Sequence, residues 1–232
     1  MTDNHAITVP HSALPYILLQ RTGYAVPFKK IFTRIERRWP YLSVRLQSFL
    51  FGRVIAKTYS DDMYAEFSTI ESYLPKQAST ILDIGCGVGG LEVFLNRHYP
   101  AAQLFLLDRT ESDPIYYKFT KRAAFYNSLE TGQKLLMTNG VQKAQIVLAN
   151  ATDSYDIPPE KFDLVVSLIA WGFHFPLETY LSKVYEQLAP DGVLIVDVRA
   201  GTGGEELLQT TFGNAAVIHS GKNVRVVCRK NT

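Results

Sequence analysis

The sequence predicts an α/β fold: a doubly wound, mostly parallel seven-stranded sheet that ends in an antiparallel hairpin and carries an N-terminal helical cap. Three observations lead there. Beyond Pro75, apolar runs of strand length alternate with amphipathic stretches of helical spacing. The first of those runs ends in a glycine cluster, "ILDIGCGVGG". The last two runs, "AAVIHS" and "NVRVVCR", are separated only by Gly221 and Lys222, which permits a hairpin but not a parallel crossover.

Taken in order, residues 39–57 and 62–73 carry aromatic and basic side chains at helical spacing and form the cap, residues 1–75. The second unit, residues 76–232, opens with the strand "STILDIG". "GGLEVFLNRHYP" is a helix with Pro100 beyond its end. "QLFLLD" is the second strand, and "AFYNSLETGQKLLMTNG" is a helix closed by Gly140. "AQIVLAN" is the third strand and "FDLVVSLIA" the fourth. "LETYLSKVYEQLAPDG" is a helix stopped by Asp191-Gly192, "VLIVDV" is the fifth strand, and a short helix at 205–211 precedes the hairpin. Strands alternating with helices in this way give a parallel sheet covered on both faces.

Composition excludes several classes. At 232 residues, 47% apolar and 20% charged, the chain has ordinary globular proportions. No apolar run approaches the roughly 18 residues of a membrane span. The N-terminus lacks the basic start of a signal peptide. Cys86 and Cys228 are too few and too far apart for a disulfide framework or a metal cluster, so a reduced, cytoplasmic protein is expected. Charge is uneven: residues 1–60 hold nine basic and two acidic side chains, a net +7, leaving −5 for the rest of a chain whose total is +2. Such an arm either meets an anionic partner or is a solvated helical face.

Gly85, Gly87 and Gly90 fit G-x-G-x-x-G, a spacing that lets backbone turn tightly and approach a ligand at a helix N-terminus. Asp108 ends the second strand, 18 residues after Gly90, where a carboxylate can accept from ribose hydroxyls. Both features are common to dinucleotide and S-adenosylmethionine (SAM) enzymes. Asp83 separates them: a carboxylate two residues before the loop repels a pyrophosphate and suits an ammonium group.

On these residues the chain, from about Ser79 onward, resembles the class I SAM-dependent methyltransferases. "ILDIGCGVGG" looks like the family's first motif, "LFLLD" its acidic second strand, and "FDLVVSLIA" and "LAPDGVLIVDV" its fourth and fifth. The resemblance implies SAM as cofactor, with S-adenosylhomocysteine (SAH) as product. It assigns cofactor contacts to Asp83, Gly85, Cys86, Gly87, Asp108, Arg109, Asn150, Ala151 and Ser167. Asn150 stands where the family often has an acid that binds the adenine amino group, and Asp153 is its rival.

The segment "AWGFHFP" follows the fourth strand at the sheet's carboxyl edge, where this fold binds ligands. Trp171 and Phe173, with Tyr59 and Tyr64 of the cap, are the candidate substrate-binding residues. His174 is the candidate catalytic base, or else a ring that orders the loop through backbone bonds. The Asn/Asp-Pro-Pro-Tyr/Phe motif of amino methyltransferases, a Pro-Cys nucleophile and the acidic set of the magnesium-dependent catechol type are all missing. The expected reaction is metal-independent O-methylation of a small molecule, with anionic or glycosylated acceptors both fitting and N-methylation left open. A looser resemblance links the chain to bacterial small-molecule and sugar O-methyltransferases. Two alternatives stand beside it: a nucleic-acid methyltransferase using the basic arm, and a non-catalytic SAM-binding partner subunit.

Overall fold

The computed structural model describes residues 5–21, 24, 32, 35, 38–110, 127–152 and 154–230. Its centre is a seven-stranded sheet. The strands are β1 (Thr80–Ile84), β2 (Gln103–Asp108), β3 (Ile146–Asn150), β4 (Phe162–Ser167), β6 (Leu188–Arg199), β7 (Gly213–Ser220) and β8 (Asn223–Lys230). A further extended segment, β5 (Ala170–Phe175), lies outside that sheet. The order is β3-β2-β1-β4-β6-β8-β7. Strands β1, β2, β3, β4 and β6 run parallel, and β8 is inserted antiparallel between β6 and β7. The short Gly221-Lys222 connection therefore makes the hairpin that its length demands.

Side chains alternate across the sheet and build two cores. On one face Ile81, Leu104, Leu106, Leu164, Val166 and Ile195 pack under α1 (Leu14–Gln20), α2 (Pro40–Ile70), α3 (Gly90–His98) and α4 (Leu129–Thr138). On the other, Leu82, Phe105, Val165, Leu194 and Val226 pack under β5, α5 (Glu178–Gln187) and α6 (Gly204–Phe212). Alternation continues to the carboxyl ends of the strands. It sends Asp83, between Leu82 and Ile84, to the α2–α3 face, and Asp108, after Leu107, to the same face. Two acids separated by 25 positions thus converge on one site.

Four elements differ from expectation. The two helical stretches of the cap are one helix, α2, which begins at Pro40 and bends at Phe51, where φ is −120°. The fourth strand stops at Ser167 rather than reaching Ala170, because Ile169 takes a positive φ of 54° and turns the chain. Helix α5 ends at Gln187 instead of running to Gly192, since Pro190 disfavours helix at the residue before it and the chain is already extended at Leu188. The expected helix at 124–140 starts at Leu129, capped by Ser128, whose hydroxyl accepts from Thr131 N at 3.2 Å. Its first letters, 124–126, lie outside the described residues. No helix among the described residues is long and apolar enough to cross a membrane.

Candidate cofactor and active site

The glycine loop joins β1 to α3. Gly85, Gly87 and Gly89 all have positive φ (82°, 57° and 80°), a region that only glycine occupies freely. Gly90 is glycine for another reason: a side chain there would run into the Tyr59 ring and Met63 of α2. The left-handed positions are therefore 85, 87 and 89. The G-x-G-x-x-G register names Gly90 in place of Gly89, and a glycine at every second position was the signal for the true set.

Asp108 organises the loop. Its carboxylate accepts from Gly87 N at 2.7 Å and Arg109 N at 2.6 Å, while Gly85 N donates to Leu107 O at 2.7 Å. Burial pushes the Asp108 carboxyl up to about 6, and the bonds from the Gly87 and Arg109 amides pull it back. Each oxygen keeps a lone pair for ribose hydroxyls. Above the loop, Gln20 Oε1 lies 3.0 Å from where a Gly87 Cβ would stand. Gln20 Nε2 also donates to Asn127 Oδ1 at 3.3 Å, so the end of α1 roofs the loop.

Asp83 is 5% exposed and Glu92, in the first turn of α3, is 1% exposed. Asp83 Oδ1 and both Glu92 carboxyl oxygens meet no hydrogen-bond donor among the described residues. Buried acceptors of this kind require a donor, and the ammonium of SAM is a suitable one. Glycines that leave the backbone bare, a ribose-type acid and an orphaned carboxylate together fit that cofactor. Nothing in the sequence marks Glu92, which reads there as the polar letter of an amphipathic helix.

The other expected contacts are distributed around this centre. Asn150 stands opposite Asp108 at the strand ends, where its Oδ1 accepts from Thr110 N at 2.9 Å; Ala151 N donates to Asp108 O. Arg109 follows the acid directly, Cys86 is buried within the loop, and Asp153 lies outside the described residues. Ser167 is fully buried; its hydroxyl donates to Ile84 O at 2.7 Å and accepts from Trp171 N at 3.0 Å. It ties the loop strand to β5, and Ala170 then packs directly on Gly85.

Three candidate substrate residues lie elsewhere. Trp171 is 1% exposed, its indole N–H bonded to Leu177 O and its ring edge-on to Tyr180, which places it in the core rather than on a ligand wall. Tyr59 is buried at Gly90, and burial raises its hydroxyl pKa well above normal. Tyr64 packs between His5 and Phe94 on the outer side of α3. Each is drawn into packing by a neighbouring helix or strand that its local sequence does not reveal. Phe173 is half-buried under the Arg199 guanidinium, 5.0 Å from its ring centre, and edge-on to His174. His174 is exposed at the carboxyl edge of the sheet. The surrounding chain and the positive charge of Arg199 hold its pKa below the ordinary histidine value.

A seven-stranded sheet of this order, with a glycine loop after β1 and an acid at the end of β2, defines the class I SAM-dependent methyltransferase fold. The chain belongs to the methyltransferase small domain family, whose pattern matches residues 68–228; SAM is the cofactor of this family and fold. It is 25% identical over 162 residues to the ribosomal RNA small subunit methyltransferase C of Aeromonas hydrophila, covering 68% of this chain and 42% of that one. The chain thus spans less than half the length of that relative. Among solved structures, an O-methyltransferase family protein from Burkholderia thailandensis superposes with a TM-score of 0.56 at 10% identity, over 96% of this chain and 70% of that one. The 16S rRNA N2 G1207 methyltransferase of T. Thermophilus, in complex with AdoMet and guanosine, gives 0.51 at 16% identity, over 73% and 43%.

Proposed function

We propose that this chain is a SAM-dependent methyltransferase whose acceptor is a hydroxyl of a small molecule, and that His174 takes the hydroxyl's proton. SAM, when bound, supplies an electrophilic methyl on a sulfonium sulfur. Asp83 would hold its ammonium end and Asp108 its ribose, with Gly85, Gly87 and Gly89 bringing backbone close. The wiring of the segment after β4 carries the choice of acceptor. Where amino methyltransferases of nucleobases and glutamine have Asn/Asp-Pro-Pro-Tyr/Phe, this chain has Ser167-Leu168-Ile169-Ala170. Its one polar side chain is closed off in bonds to Ile84 and Trp171. An exocyclic amine finds no free side-chain acceptor in that stretch. A hydroxyl needs a base instead, and an imidazole with lowered pKa is neutral and ready to accept at pH 7.

The test is methyl transfer from labelled SAM to a panel of phenols, sugars and hydroxy acids, with the methylated atom read by mass spectrometry. His174→Ala should lose about 100-fold or more in kcat while still binding SAH. The acid limb of the wild-type pH profile should fall below the ordinary histidine pKa, because the imidazole must be deprotonated to act. Full turnover in His174→Ala would remove the base.

A second reading, an RNA acceptor, draws on the net +7 of residues 1–60 and on the ribosomal RNA methyltransferase relative. It requires RNA binding that weakens steeply with salt. A flat response in the range 50–200 mM, about the span over which phosphate contacts are lost, would eliminate it.

A further inference from the structure

The carboxyls beneath the glycine loop form an unusual group. Asp83 on β1 and Glu92 on α3 face each other, buried, within hydrogen-bonding reach. Two carboxylates have no hydrogen to exchange, which is why their oxygens find no donor. One proton between them converts repulsion into a hydrogen bond. The elements packed around the pair add no compensating charge. From β2 comes Asp108, from the loop the thiol of Cys86, and from α2 the phenol of Tyr59. The guanidinium of Arg21, at the end of α1, bonds Met63 Sδ and acts on Tyr59. Among the described residues, the charges acting on the two carboxyls are each other and Asp108, all negative.

We propose that Asp83 and Glu92 hold one proton between them beneath the loop and release it to solvent when the ammonium of SAM or SAH arrives, so that Glu92 is a second carboxylate of the cofactor site. The proposal rests on the reading of this loop as the SAM site. It deepens that reading by assigning Glu92 a role that the glycine motif does not contain. Burial alone makes a doubly ionised pair costly; a cation at Asp83 Oδ1 offsets the cost and completes the missing bond. Burial raises both carboxyls, Asp83 well above the usual carboxylate range and Glu92 to about 7, so the pair keeps at least one proton to neutrality. Cofactor affinity should therefore rise with pH across the range where the pair retains its proton.

Calorimetry on the full chain at about pH 6.5, where a free α-amino group is protonated, tests this directly. SAH is titrated in buffers of differing ionisation enthalpy, alongside 5′-methylthioadenosine, which keeps the nucleoside and lacks the amino-acid part. Binding of SAH should release about half to one proton, read as the slope of enthalpy against buffer enthalpy. Methylthioadenosine should bind with a slope near zero. In Glu92→Gln the side-chain amide can donate to Asp83, and the SAH slope should also fall to near zero. SAH binding with no buffer dependence in the wild-type protein overturns the proton release and leaves the cofactor reading standing. Binding of neither ligand overturns both.

Discussion

Gly85 has almost no room to change. A methyl group there would lie 2.3 Å from the Ala170 side chain, at a φ of 82° that a larger residue rarely adopts. Gly85→Ala should cost about 1–3 kcal/mol from backbone strain alone, before any shift of β5. Urea unfolding would measure that loss, and SAH titration should show the loop unable to bind. Glu92 makes a pH-dependent contribution of its own. Its carboxyl sits at about 7 in the folded protein, above the 4.5 of an unfolded chain. Such a group favours the folded state below the ordinary glutamate range, and this contribution is lost as pH rises through about 7. Glu92→Gln cannot ionise. Without ligand, it should match the wild-type melting temperature at low pH and exceed it increasingly through neutrality; parallel curves would contradict the burial of an ionisable pair.

At the level of elements, the turn between β4 and β5 depends on a charge cluster on the α2 face of the sheet. Asp197 of β6 accepts from Ile169 N at 3.1 Å, holding a β-branched residue in a left-handed conformation. The same carboxylate takes two bonds from Arg225 of β8, at 2.7 and 2.8 Å. Arg225 also reaches Glu66 at 2.6 Å and bonds Thr69, both on α2. One buried guanidinium thus joins the helical cap to the hairpin, and its partner Asp197 extends that link to the strand that packs on the glycine loop. Asp197→Ala leaves Arg225 buried with two of its four hydrogen bonds, a loss of about 3–5 kcal/mol. Adding Arg225→Met to that variant should restore part of the stability, because the buried guanidinium is gone and only the partly exposed Glu66 carboxylate loses its partner. Denaturant titrations of the four proteins in this cycle would give the coupling directly. SAH affinity in Asp197→Ala should fall as well, since Ala170 is no longer held over Gly85.

Across the whole molecule, the helical cap and the sheet share a core. Ile55, Tyr59, Met63, Phe67 and Ile70 of α2 bury themselves with Leu91, Phe94 and Leu95 of α3, and the sheet residues Ile81 and Leu104 join the same cluster. Removing residues 1–75 would expose that face and the Asp197–Arg225 pair together. A 76–232 fragment should therefore expose apolar surface to a dye such as ANS and lose the cooperative melt of the full chain. The order of strands and helices was legible in the sequence because a parallel sheet buried on both faces writes near-continuous apolar runs, and helices write a 3.6-residue period. Asp83 and Asp108 were legible too, being tied to the glycines and strand ends by short, fixed spacings. What lay beyond local reading was decided by packing over each face. Glu92 is one polar letter in an amphipathic helix until α2 covers it. Trp171 looks like a ligand wall until Leu177 and Tyr180 enclose it. A segment's sequence determines its own backbone and periodicity; which of its side chains become buried, paired or left without a partner depends on neighbours that the fold brings up, from as near as Leu177 at Trp171 to as far as Arg225 of β8 at Glu66 of α2.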